Sequence, residues 1–167
     1  HRDDELVRLF YQRVHDARRA VTGMPYRSVL VLGAGSGNDV RAALMNGAER
    51  VDAVEIDPAI ATISRAKHPG RPYDDPRVHL IVDDGRAFLA RTDRQYDLIV
   101  FALTDSLVKA SPTAQLRLEN YLFTIEAVRR AAALLAPDGD LVFYNYYRQP
   151  WLEAKLRHLI AEATGRP

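Results

Sequence analysis

Residues 29–39 read Val29-Leu30-Val31-Leu32-Gly33-Ala34-Gly35-Ser36-Gly37-Asn38-Asp39, and this run decides the fold class. Four consecutive apolar residues are the mark of a strand buried on both faces, as in a parallel sheet. The glycines at 33, 35 and 37 let the backbone turn sharply and come close to a ligand. The apolar pattern resumes at Val40, Ala43 and Leu44, which predicts a helix whose N-terminus faces that ligand. Strand, glycine loop and helix together open a nucleotide-type site.

The spacing narrows the ligand. A dinucleotide fingerprint runs Gly-x-Gly-x-x-Gly and needs a glycine at 38, where this chain has Asn38. The Gly-x-Gly-x-Gly form is more at home in proteins that bind S-adenosylmethionine or its relatives; a tight structural turn is the other reading of the same glycines. A second apolar stretch, Val51 to Ile56, carries Glu55 about twenty residues past the loop, where an acid accepts both hydroxyls of a ribose. Asp57 and Pro58 read as the N-cap and first turn of the next helix. A third strand, Val78 to Val82, runs into Asp83-Asp84-Gly85 and a short amphipathic helix through Ala87, Phe88 and Leu89. The two acids either cap that helix or, in an adenosine site, offer Asp84 to the adenine amino group.

Two more strands complete the pattern. Tyr96 to Phe101 empties into Ala102-Leu103-Thr104-Asp105-Ser106, and Leu141 to Tyr144 into Asn145-Tyr146-Tyr147-Arg148. Helical stretches between strands imply right-handed crossovers. The expected fold is α/β: a Rossmann-like, doubly wound, mostly parallel sheet with helices on both faces. Ligands of such sheets lie beyond the carboxyl ends of the strands, where every polar cluster named above falls.

Val54-Glu55-Ile56-Asp57-Pro58, Asp74-Asp75-Pro76-Arg77-Val78 and residues 83–89, Asp-Asp-Gly-Arg-Ala-Phe-Leu, resemble spermidine synthases and their relatives, the polyamine aminopropyltransferases. With the glycine loop and Tyr96-Asp97-Leu98-Ile99-Val100, the likeness spans about residues 28 to 145. It implies a class I methyltransferase-like domain that binds decarboxylated S-adenosylmethionine, passes its aminopropyl group to a polyamine and releases methylthioadenosine. On this likeness the nucleoside ligand is held by Gly33, Gly35, Gly37, Asp39, Glu55, Asp83, Asp84 and Gly85. Two positions depart from the family. Its Asp-Ser-Ser-Asp-Pro after the fourth strand begins here at Ala102, so the acid thought to draw a proton from the amine is missing and only Asp105 survives. The acid within the family's glycine run is Ser36 here, with Asp39 three residues on as a substitute.

The chemistry sets what a catalyst needs. A sulfonium carbon is already electrophilic, so the protein must hold an amine in line and keep it neutral. A carboxylate-rich pocket attracts a polycation and repels the carboxylate of intact S-adenosylmethionine. Asp105 is expected to bind the amine or accept its proton, with a turn cap through Ser106 as the other reading. Tyr144, Tyr146, Tyr147 and Trp151 either wall the polyamine's methylenes or belong to the core.

Composition fits one domain of 167 residues with a net charge of +1 from 23 basic and 22 acidic residues, so neither nucleic acid nor a membrane surface is an expected partner. Cysteine is absent, which removes disulfides, thiolate metal sites and a cysteine nucleophile. The five histidines lack ligand spacing, no metal is expected, and His68 and His158 read as surface residues. There is neither a membrane-length apolar run nor a signal peptide, so a cytoplasmic setting is expected.

Residues 1–27 read as an amphipathic helix and linker, with Leu6, Leu9, Phe10, Val14 and Ala17 as one stripe, ahead of a nucleoside-binding domain over 28–167. A helical pattern from Leu118 to Leu135 stops at Ala136-Pro137-Asp138-Gly139. The proline-rich stretch from His68 to Pro76 borders the site or forms an interface, and Lys109 to Thr113 is a candidate lid. The C-terminal hairpin of a full methyltransferase fold and the N-terminal β-domain of spermidine synthases are not legible in the sequence. The glycine run and residues 116–121 are similar to a bacterial branch that carries this domain beside membrane-spanning segments, which suggests an excised domain and leaves a homodimer open. Three functions stand: aminopropyl transfer, methyl transfer from S-adenosylmethionine, and adenosyl-ligand binding without turnover.

Overall fold

The apolar segments read from the sequence form one parallel sheet in the order β3-β2-β1-β4-β5, seen in a computed structural model that describes the backbone of residues 2–102, 122–144 and 150–165. Its strands are β1 (Ser28–Leu32), β2 (Arg50–Glu55), β3 (Val78–Val82), β4 (Tyr96–Ala102) and β5 (Leu135–Tyr144). The described helices are α1 (Arg2–Thr22), α2 (Asn38–Met45), α3 (Pro58–Lys67), α4 (Gly85–Arg91), α5 (Ile125–Ala133) and α6 (Pro150–Thr164), with a 3-10 turn at Pro72–Asp74. Strand order reverses beside β1, whose two neighbours are β2 and β4. The carboxyl ends of these three strands therefore border the crevice in which such sheets take ligands.

Both faces of β1 are buried, as its unbroken apolar run requires. Val29 and Val31 pack with Val40, Ala43 and Tyr73 on one face. Leu30 and Leu32 pack with Phe88, Leu89, Ala127 and Ala131 on the other. Alternation along each strand thus feeds two layers of helices from one sheet.

Three expectations change. The fifth strand begins at Leu135, not Leu141, and the stretch Ala136–Gly139 lies within it as a bulge: Tyr96 faces Leu135 and Leu98 faces Asp140. Gly139 permits this, because a Cβ there would sit 2.8 Å from the Tyr96 carbonyl oxygen. The helix before it starts at Ile125, since the Thr124 hydroxyl accepts the Ala127 N–H and caps it there. The α1 stripe is the third change. Val14 reaches the core, but Leu9 and Phe10 are exposed. The helix docks instead through polar groups: Gln12 and Asn46 exchange two side-chain hydrogen bonds, at 2.7 and 2.9 Å, and buried His15 packs edge-on against Tyr26.

Candidate functional site

The glycine loop is fastened to β2. The N–H groups of Gly33 and Ala34 both donate to the Val54 carbonyl at 2.9 Å, which carries the chain from β1 across the end of its neighbour. Gly33, Gly35 and Gly37 all have positive φ, at 78°, 50° and 94°, the left-handed region that glycine enters without cost. A Cβ on Gly35 would meet only the Gly33 carbonyl oxygen, at 3.7 Å, so this side of the loop is open.

Glu55, the last residue of β2, lies against that loop and is buried. Its Oε2 accepts the Gly35 N–H at 2.8 Å and its Oε1 accepts the Asp57 N–H at 2.9 Å. Two backbone donors fix both oxygens, and a carboxylate has about four acceptor positions, so capacity remains for two hydroxyls. Asp57 caps α3, accepting the N–H of Ala59 at 2.8 Å, as its place before Pro58 predicts.

Behind the loop stands Tyr73. Its hydroxyl donates toward the carbonyls of Ala34 and Gly35, at 3.1 and 2.9 Å. A Cβ on Gly37 would lie 2.9 Å from Pro72 Cγ and 3.0 Å from the Tyr73 ring, so Gly37 is small to admit the 3-10 turn. Burial, with the nearby charges of Glu55 and Asp39, raises the Tyr73 phenol and keeps it a donor. Asp39 is itself buried in the first turn of α2, and burial lifts its carboxyl to about 7, partly offset by its own backbone N–H. His68 is a correction: it is half-buried rather than a free surface residue. Its Nε2 lies 3.1 Å from Asn38 Oδ1 while its Nδ1 accepts the Gly70 N–H, so it ties the proline-rich stretch to the first residue of α2.

At the end of β3 the two acids divide their work. Asp83 Oδ1 accepts the Asp84 N–H and its Oδ2 pairs with Arg91, so Asp83 is occupied by its own loop and helix. Asp84 caps α4 with Oδ1, which accepts the N–H groups of Arg86 and Ala87 at 2.9 and 3.0 Å. Gly85 is small for packing, since a Cβ there would lie 3.0 Å from Leu122. Ile56 and Val82 stand at the ends of β2 and β3, with 46% and 53% of their surface exposed, beside the Asp83 N–H that donates to the Glu55 carbonyl. An acid flanked by exposed aliphatic surface suits a ribose joined to a flat ring.

Ala102 closes β4, buried and opposite Tyr144 in the register with β5, so among the described residues the strand ends without a carboxylate. Asp105, Tyr146, Tyr147 and the side chains of Tyr144 and Trp151 lie outside the described residues. Among the described residues no cluster of histidine and carboxylate side chains is arranged to hold a metal ion. No described helix is long and apolar enough to cross a membrane.

A glycine loop clamped to an acid twenty residues on, in a parallel sheet of this order, is found together with a match of residues 15–165 to the spermine/spermidine synthase domain. The chain belongs to this family. Among curated relatives it is 32% identical over 120 residues to a polyamine aminopropyltransferase of Sulfolobus acidocaldarius, covering 69% of this chain and 37% of the relative. It is 34% identical over 134 residues to a polyamine aminopropyltransferase of Clostridium perfringens, covering 78% and 44%. The chain thus spans less than half the length of these relatives. Among solved structures it is similar to a spermidine synthase in complex with the transition-state analogue AdoDATO, with a TM-score of 0.65, 20% identity, and coverage of 95% of this chain and 50% of that one. A ribosomal protein L11 methylase from Lactobacillus delbrueckii has a TM-score of 0.61 at 20% identity, over 94% and 66%. At these identities the structures speak for the fold alone.

Two family-like segments have structural duties. Arg77 grips Asp75 through two nitrogens, at 2.9 and 2.7 Å, holding that carboxyl down at about 2, and donates to the Ala48 carbonyl at 3.0 Å. This pins the start of β3 to the turn before β2. Asp97 accepts the N–H groups of Arg27 and Ser28, at 2.8 and 2.9 Å, and fixes the start of β1. Ile56 and Val82 are candidate site residues that sequence reasoning did not single out. Tyr73 and His68 fall within the stretch from His68 to Pro76 that was read as bordering the site or forming an interface, but neither that stretch nor the neighbouring Asp74-Asp75-Pro76-Arg77 says which side chain meets the loop.

Proposed function

We propose that this chain binds decarboxylated S-adenosylmethionine across the glycine loop and transfers its aminopropyl group to an amine, with a polyamine as the acceptor class. The observation that carries this reading is Glu55, whose two oxygens are held by the Gly35 and Asp57 amides at the carboxyl end of β2. Membership of the family and the aminopropyltransferase relatives support the substrate class. Glu55 takes the two ribose hydroxyls, Ile56 and Val82 flank the adenine, and Asp84 receives its amino group. The Gly33, Gly35 and Gly37 loop lets the backbone approach the sulfonium end. The carboxylates of Glu55 and Asp84 border this pocket, which favours a cationic tail over one bearing a carboxylate.

In the reaction the acceptor nitrogen attacks the aminopropyl carbon next to sulfur. The carbon–sulfur bond breaks, its electron pair stays on sulfur, and methylthioadenosine leaves. The new ammonium sheds one proton, and Asp105 is the acid assigned to accept it. Ala102 favours a second reading, in which the pocket binds an adenosyl ligand with methyl transfer or with no turnover. Incubation with decarboxylated S-adenosylmethionine and putrescine or spermidine tests the first reading by release of methylthioadenosine. Asp105→Asn should cut that release about 100-fold or more while ligand affinity holds, as removal of a proton acceptor does. Release of S-adenosylhomocysteine from the intact cofactor would establish methyl transfer instead.

A further inference from the structure

The Ala34–Gly35 peptide is strung between two side chains. Its carbonyl accepts from the Tyr73 hydroxyl at 3.1 Å and from the Gly37 N–H at 2.9 Å, and its N–H donates to Glu55 Oε2 at 2.8 Å. A trans peptide points these two groups in opposite directions, so Tyr73 and Glu55 hold one plane from both sides. The next peptide is held in the same way on one side, since the Gly35 carbonyl also faces the Tyr73 hydroxyl at 2.9 Å. Planarity then turns the Ser36 N–H away from the Gly35 carbonyl that faces Tyr73.

Tyr73 is itself set in place by more than packing. It is 4% exposed, on a 3-10 turn whose preceding residue, Arg71, has a φ of 42°. Arg71 is the one non-glycine residue with positive φ among those described, a conformation that persists only where its surroundings hold it. Those surroundings are visible: Asp74 accepts from Arg65 Nε at 3.1 Å and from Arg71 Nε at 2.6 Å. The turn thus bears a backbone cost at Arg71 and presents one buried hydroxyl to two loop carbonyls.

We propose that Tyr73 is a positioning residue of the adenosyl site, acting through the Ala34–Gly35 peptide on Glu55. The hydrogen bonds run from the Tyr73 O–H through that peptide to the carboxylate, and such chains polarise one another. Loss of the hydroxyl leaves the Ala34 carbonyl to the Gly37 N–H and takes a donor from the Gly35 carbonyl, which loosens the Gly35 N–H and lets the Glu55 carboxylate turn. The ligand-binding part of this inference rests on the proposed function, whereas the loop geometry does not.

The test is Tyr73→Phe, which keeps the ring against Gly37 and removes only the oxygen. In the unliganded chain, the Gly35 amide should lose hydrogen-exchange protection by about tenfold while amides of β1 hold, and the melting temperature should fall by only the few degrees that one lost hydrogen bond brings. Affinity for decarboxylated S-adenosylmethionine should fall by about tenfold. A double-mutant cycle with Glu55→Gln separates positioning from mere support: the double variant should lose clearly less than the product of the two single losses. Unchanged Gly35 protection would overturn the inference, and so would independent, multiplicative losses. A wild-type chain that binds no adenosyl ligand would overturn the proposed function, and the Gly35 exchange in the free chain would still decide the role of Tyr73.

Discussion

The Glu55 carboxylate accepts the Gly35 N–H at 2.8 Å across a separation of 20 residues, joining the glycine loop after β1 to the end of β2. Glu55→Gln would break more than a charge. A carboxamide has one acceptor oxygen, so whichever way it turned, its NH2 would face the N–H of either Gly35 or Asp57. The variant should weaken adenosyl-ligand binding by about 1–3 kcal/mol, the range for hydrogen bonds to a charged acceptor. Calorimetric titration measures this, and an unchanged dissociation constant would remove Glu55 from the site.

Gly35 and Gly37 should separate binding from folding. Gly35 has open space where a Cβ would point, and Gly37 has Pro72 and Tyr73 there. Gly35→Val should therefore abolish ligand binding at a stability cost of about 1–2 kcal/mol for the left-handed backbone. Gly37→Ala should cost more than that, because the same backbone term is joined by overlap with two buried side chains. Chemical denaturation of both variants, set beside ligand titration, checks the ordering.

Much of this site was legible before any coordinates. The apolar run Val29–Leu32 marked a doubly buried strand, and the three glycines after it marked a sharp turn, either structural or close to a ligand. Glu55 and the Asp57 cap followed from spacing. What was not legible depended on contacts distant in sequence. Tyr73 meets the loop 38 and 39 residues away, and His68 meets Asn38 30 residues away. Periodicity cannot reveal such pairings. The start of β5 was misplaced for a local reason, since Pro137-Asp138-Gly139 carries ordinary turn chemistry that the pairing with β4 absorbs as a bulge.

Asp39 gives the pH dependence its sign. Burial lifts its carboxyl to about 7, against about 4 in an unfolded chain. At acid pH both states hold the proton; as pH rises from about 4 to 7 the unfolded state ionises first and native stability is lost. Asp39→Asn should be neutral near pH 4 and stabilising by about 1–3 kcal/mol near pH 8. His15 works in the other direction. Burial first, then Arg19, lowers it to about 4, so its contribution is present above about 6.5 and is lost as pH falls toward 4. Comparing the variant with wild type at each pH cancels the His15 part.

Tyr96 supplies a control far from the loop. Its hydroxyl donates to buried Asp52 at 2.8 Å, and Arg50 reaches the other oxygen at 2.8 Å. Tyr96→Phe leaves a buried carboxylate short of a donor and should cost about 1–3 kcal/mol of stability. Adenosyl-ligand affinity should stay within twofold at a temperature where the variant is folded. An affinity loss as large as that of Glu55→Gln would mean that the sheet transmits strain to the loop.

The most direct measurement is calorimetric titration of the chain with decarboxylated S-adenosylmethionine and, separately, with S-adenosylmethionine. A pocket bordered by the Glu55 and Asp84 carboxylates should prefer the decarboxylated ligand by tenfold or more, about the 1.4 kcal/mol that one unfavourable charge contact supplies. Equal affinity, or preference for the intact cofactor, would contradict aminopropyl transfer as the function of this site.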